Sequence, residues 1–131
     1  MHLRASSGAL ILILSAILST ACSSPTEPSP TFADFVVEVE GERFVVRTSD
    51  PDTIRAAEEN RQGRSGAFPA GVLKRGDGGF NAPWTWHLDP ASVRFVEAAI
   101  EVCDGRPSYV ESHQSEFERY CPWGAKVVAR R

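Results

Sequence analysis

Phe35-Val36-Val37-Glu38-Val39-Glu40-Gly41-Glu42-Arg43-Phe44-Val45-Val46-Arg47 carries β-branched and aromatic residues on both sides of Glu40-Gly41, and it predicts two antiparallel strands joined by a tight turn. Directly after it, Asp50-Pro51-Asp52-Thr53 supplies a capping Asp, a proline at the first helical position and an acid in the first turn. The helix this opens runs over Ile54 to Arg61 and is closed by Gly63. Ile54 and Ala57 fall on its inner side, while Arg55 and Glu59 make an i, i+4 pair on the outer one.

Downstream the punctuation thickens, with Gly66, Pro69, Gly71, Gly76, Gly78, Gly79 and Pro83 around one brief strand, Gly71 to Lys74. Trp84-Thr85-Trp86-His87-Leu88 alternates large and polar, which predicts a strand with Trp84, Trp86 and Leu88 on one face and Thr85 and His87 on the other. Asp89-Pro90 turns the chain into a strand-like stretch, Val93 to Val102, with Ile100 and Val102 sharing a face. Asp104-Gly105 is a further turn, a helix is expected within Pro107 to Tyr120 around Ser115 to Arg119, and Ala125 to Ala129 reads as a closing strand kept soluble by Arg130 and Arg131. Hairpin, helix, strands, helix and strand together predict an α+β domain over residues 32–131, a small and mostly antiparallel sheet with one or two short helices.

With 131 residues, 42% hydrophobic and 24% charged, the chain is long enough for one globular domain and too short for a multidomain enzyme. Fourteen basic residues against 17 acidic ones give a formal charge of −3, which argues against a nucleic-acid binder relying on a basic surface. The start is different in kind. Arg4 precedes the apolar run Ala9 to Leu14 and then Ala16-Ile17-Leu18, a signal peptide that ends at Ser19-Thr20-Ala21-Cys22. Small residues before a cysteine resemble the lipobox of bacterial lipoproteins, with Leu18 one place earlier than usual and Ser19 in its stead. That resemblance implies cleavage after residue 21 and lipidation of Cys22, by diacylglycerol and palmitate-type chains, which would hold the protein to the cell envelope on its outer, extracytoplasmic side. Ser23 to Thr31, with Pro25, Pro28 and Pro30, reads as an extended tether reaching about 30 Å from the membrane. Losing Arg4 with the leader leaves the remaining domain one unit more acidic than the full chain.

The lipid takes one of three cysteines and leaves Cys103 and Cys121, an even pair that in an exported domain of this size is expected to form a disulfide. The spacing is neither Cys-x-x-Cys nor a zinc-finger arrangement, so a redox or metal role is the lesser alternative. Three blocks then stand out: Phe80-Asn81-Ala82-Pro83-Trp84-Thr85-Trp86-His87-Leu88-Asp89-Pro90, Ile100-Glu101-Val102-Cys103-Asp104-Gly105-Arg106-Pro107-Ser108-Tyr109-Val110-Glu111, and Tyr120-Cys121-Pro122-Trp123. In them the chain resembles the N-terminal domain of the cyclic-AMP-inducible BP-seventy-four family, whose bacterial members are small exported proteins often labelled calmodulin-binding. The resemblance implies a single secreted domain in which Cys103 and Cys121 match the family's cysteine positions; it implies no activity. Calmodulin is not an expected partner, because its targets are basic amphipathic helices and both helix candidates here are acidic or mixed, with Asp52, Glu58 and Glu59 in the first and Glu111, Glu116 and Glu118 in the second.

The polar residues able to converge are His87, Asp89, Glu101, Asp104, Arg106 and Glu111. His87 and Asp89 are two apart and face one way on a continuous strand, so with Asp104 or Glu101 they would suit a divalent metal or an acid/base pair. The structural alternative has Asp89 capping the turn before Pro90 and His87 bonding a nearby loop. No cofactor is called for otherwise. Asp50 onward lacks the Gly and terminal acid of an EF-hand, Gly76-Asp77-Gly78-Gly79 lacks the ending of a P-loop, Ser108 is in no nucleophile elbow, and Arg75-Gly76-Asp77 is a tripeptide common by chance. Trp84, Trp86 and Trp123 are expected in the core, with an exposed platform for a glycan or partner protein as the alternative. The Gly76 to Pro83 loop is the expected contact surface. The pattern therefore favours a non-catalytic binding module at the envelope. A metal-binding protein or metal-dependent hydrolase centred on His87 and Asp89 comes next, and then a protease-inhibitor-like module presenting Arg106-Pro107.

Overall fold

In the computed structural model, which describes residues 22–131, Glu40 and Gly41 both take positive φ (49° and 78°), the backbone that a two-residue hairpin turn demands. The turn joins β1 (Ala33–Val39) to β2 (Glu42–Thr48), paired antiparallel from Ala33 opposite Thr48 to Val39 opposite Glu42. Period-two alternation sends Phe35, Val37, Phe44 and Val46 inward, each 2% exposed or less. Helix α1 (Pro51–Arg61) opens as predicted: the Asp50 carboxylate accepts the Thr53 backbone N–H at 2.9 Å and its hydroxyl at 2.6 Å. Ala57 is fully buried and Ile54 packs on the core, but Arg55 pairs with Asp52 rather than with Glu59.

The second sheet is built around β3 (Phe68–Arg75), twice the length read from the sequence. It pairs antiparallel with β4 (Trp86–Leu88), β5 (Arg94–Val96) and β6 (Arg119–Tyr120), while β7 (Lys126–Arg130) returns to the first sheet beside β1. The fold is thus α+β with antiparallel strands shared between two sheets. Two local expectations change. Val93 to Val102 is a strand only through Val96, after which the chain leaves the sheet and closes in a 3-10 turn at Glu101–Cys103. The second helix, α2, is Pro107–Ser112 and stops before Ser115; a 3-10 turn at Gln114–Glu116 and β6 replace the rest. Tertiary pairing decides the second case, since β6 holds Tyr120 opposite Gly71 and puts its ring, 0% exposed, in the core.

Phe44, Trp86 and Tyr120 form a triangle at the sheet junction, with ring centroids 5.3–5.6 Å apart. Burial raises the Tyr120 phenol above its ordinary range, and its hydroxyl donates to the Gly105 carbonyl at 2.7 Å. Two buried asparagines stitch the elements around this triangle. Asn81 accepts from the Val45 N–H and donates to the Trp86 carbonyl, each at 2.7 Å, tying β2 to β4. Asn60 accepts from the Val127 N–H at 2.7 Å and donates to the carbonyls of Ala67 and Ala125 at 2.6 and 3.3 Å, tying α1 to the start of β3 and to β7. Each amide satisfies backbone groups that the sheets leave unpaired.

Candidate binding cleft

Cys121 follows β6 and Cys103 ends a 3-10 turn, so the two arrive side by side. Their Cα atoms are 5.2 Å apart, the Cys121 N–H donates to the Cys103 carbonyl at 2.7 Å, and the sulfurs are joined in a disulfide. The chain before Cys103 is consequently fixed at both ends. Val96 pairs with Phe68 at one end and the disulfide holds the other, while the residues between have no strand to join. Two apolar side chains that the sequence reading placed on a strand face are therefore left in water, Ile100 at 70% exposure and Val102 at 76%.

Beneath them lies a cleft of about 560 Å³. Its buried lining includes Ala70, Cys103 and Cys121, and Val96, Ala99, Ile100 and Val102 extend the apolar surface. The exposed Glu116, Glu118 and Arg119 line its polar side. An apolar recess with a few polar groups at its margin has the composition of a ligand site. The signal in the sequence was Ala98-Ala99-Ile100 and Val102, an apolar run that finds no pairing partner.

Four of the residues singled out from the sequence, His87, Asp89, Asp104 and Glu111, are engaged elsewhere. His87 has Nδ1 2.7 Å from the Gly76 carbonyl and its ring edge-on to Phe80, with centroids 5.5 Å apart. Gly78, at φ 64°, lies so close that a Cβ there would come within 2.8 Å of the imidazole. Asp89 accepts the Ala91 N–H at 3.2 Å, the turn-capping arrangement, and Asp104 accepts the Trp123 N–H at 2.8 Å. Glu111 takes both the N–H and the hydroxyl of Thr85, at 3.0 and 2.7 Å, and the Gln114 amide donates to the same hydroxyl. Among the described residues no group of three or more His, Cys, Asp or Glu is placed to hold a metal ion. The side chain of Glu101 and the leader, residues 1–21, lie outside the described residues. Cys22 is exposed and residues 22–32 are in no strand or helix.

The tryptophans separate. Trp86 is fully buried, which removes it from any contact surface; Trp84 is half-buried, stacked on Trp86 and bonded through its indole N–H to the Arg43 carbonyl at 2.7 Å. Trp123, 44% exposed, sits 6.4 Å from Phe68 between ring centroids. In the Gly76 to Pro83 loop, Phe80 and Asn81 are buried and only the flanking residues meet solvent. Arg106 is exposed and precedes α2, whose Pro107 is buried. The N-terminus of α2 is held from β2: the Glu42 carboxylate accepts the Ser108 N–H and hydroxyl at 2.7 Å each, and these bonds lower its pKa.

No curated protein and no solved structure matches the chain. A family model does, that of the BP-seventy-four N-terminal domain, over residues 30–131. That span holds every strand and helix described above, including the disulfide and the cleft beside it, and the chain belongs to the BP-seventy-four N-terminal domain family.

Proposed function

We propose that the protein is an exported, lipid-anchored module of the bacterial cell envelope that binds a partner protein through the cleft beside the disulfide. One observation carries the binding part: Ile100 and Val102 stand in water beside an apolar recess, on a segment whose end is pinned by the Cys103–Cys121 bond. A rigid recess with exposed apolar residues at its mouth loses little conformational freedom when filled, which favours association. The side chains suited to acid/base work, His87, Asp89, Asp104 and Glu111, instead spend their hydrogen bonds on turns and loops. The anchoring part rests on the Ser19-Thr20-Ala21-Cys22 sequence and the proline-rich stretch after it.

Two measurements test the two halves separately. Metabolic labelling with an alkyne-bearing palmitate should mark the wild-type protein and not Cys22→Ser, which should move from the membrane to the soluble fraction. A photo-crosslinking residue placed at Val102 should give a discrete adduct in cells that is absent when the same residue replaces Arg55 and is lost in Ile100→Ser. Adducts of equal strength at both positions would remove the cleft from this reading.

A further inference from the structure

We propose that the segment entering the cleft carries a bulky apolar side chain flanked by lysine or arginine. This deepens the binding reading above and rests on it. Some acids of the fold are held by hydrogen bonds and others, Glu40 and Glu59 on the hairpin turn and α1 among them, are not. Glu42, Glu58 and Glu111 are each held by hydrogen bonds, from Ser108, from Arg61 and Arg130, and from Thr85. Glu116 and Glu118, on the polar side of the cleft, are exposed and make no side-chain hydrogen bond or ion pair among the described residues, and Glu97 is exposed where the chain leaves β5. Arg119 is the one basic residue in the described cleft lining. An apolar recess beside exposed carboxylates selects a ligand with the inverse arrangement, an apolar anchor bracketed by cations.

Two segments of the chain itself, the tether and β7, are poor matches. Its tether, Cys22 to Thr31, holds Glu27 but no lysine, arginine or large apolar residue. In β7, Val128 is 40% exposed between Lys126 and Arg130, but Arg130 is engaged by Glu58 at 3.3 Å and lies 5.5 Å over the Phe35 ring. Neither of these two segments supplies the inverse arrangement in free form, and the occupant proposed is a segment of a different protein.

The test uses the full chain, expressed with its own leader and purified in the form the cell delivers, and reads anisotropy of a labelled short peptide with a central Leu-Phe pair between lysines. Two control peptides replace the lysines by glutamate or the Leu-Phe pair by glycine. The lysine peptide should bind at least about ten-fold more tightly than either control, weaken as salt rises, and weaken about ten-fold in Ile100→Ser. Glu116→Lys with Glu118→Lys should reverse the preference between lysine and glutamate flanks. Equal binding of the lysine and glutamate peptides overturns the charge rule and leaves the apolar cleft standing as a binding site. Binding that is unchanged in Ile100→Ser, or absent altogether, overturns both readings, and a mass in solution of two or more copies that falls to one in Val102→Ser assigns the cleft to self-association instead.

Discussion

Asn81 and Asn60 are 0% and 5% exposed, and each divides one amide between backbone groups of different elements; Ile100 and Val102 are 70% and 76% exposed and belong to no strand. The first pair lies at the junction of the two sheets and α1, the second at the mouth of the cleft. Polar groups have gone inside where the sheets meet and apolar groups outside where they end. At the junction the sheets present N–H and C=O groups that no strand completes, and a carboxamide, with both donor and acceptor, is the side chain that can close two such gaps at once. At the cleft the disulfide holds the chain near β6 by a covalent bond, so apolar burial is not needed to keep it there. The comparison teaches that the fold's specificity sits in the junction, and that the cleft residues are free to serve something other than stability.

The junction should accordingly be the most sensitive place. Asn81→Ala leaves the Val45 N–H and the Trp86 carbonyl without partners in a buried setting and should cost about 4 kcal/mol, read as a lowered urea midpoint. A cost below about 1 kcal/mol would mean that water or a shifted strand replaces the amide, and the contrast between the two regions would fail. The disulfide comes next. Its cysteines are 18 residues apart, so Cys103→Ser with Cys121→Ser should lower stability by about 3 kcal/mol in the chain-entropy account. Hydrogen exchange should quicken first in residues 97–103, while the amides of Val45 and Val127 stay protected until the molecule unfolds as a whole. Equal loosening of both regions would show that the staple supports the junction too.

The same contrast explains what was legible in the sequence. The hairpin, the Asp50 cap and the cysteine pair are local or compositional signals, and each is present in the fold. Asn81 and Asn60 gave no signal, because what they do depends on backbone gaps that exist only once β2, β4 and β7 are assembled. Ser115 to Arg119 looked helical from its glutamates, yet the pairing of β6 with β3 and the burial of Tyr120 outweigh a helix propensity worth a few tenths of a kcal/mol per residue. Ile100 and Val102 had the alternation of a strand, and periodicity alone says nothing about whether a partner strand exists. The disulfide was readable in its cysteines and the cleft was not, since a recess is a property of what fails to pack.

Glu42 gives a smaller effect of defined sign. Hydrogen bonds from Ser108 hold its carboxyl below the ordinary value of 4.5, so its contribution is fully present above that pH and is lost as the pH falls through the lowered value. Asp50, bonded by Thr53, and Glu58, bonded by Arg61, act in the same direction. Glu42→Gln should therefore lower stability by about 1 kcal/mol at pH 7 and by less at about pH 3, flattening the acid limb without abolishing it. An unchanged acid limb would show that the tie between β2 and α2 does not persist in solution.

The smallest effect sharpens the comparison most. Ile100→Ser and Val102→Ser should each change stability by less than about 0.5 kcal/mol, because most of each side chain is already in water in the folded state and little apolar burial is there to lose. A cost of about 2 kcal/mol from either would carry a specific meaning: the side chain is buried in solution, the segment from Glu97 to Val102 is closed down on Ala70 and the disulfide, and the cleft is part of the core. A negligible cost, beside the large one at Asn81, leaves two solvated β-branched side chains over an apolar recess with no structural duty, which is the arrangement that a docking surface requires.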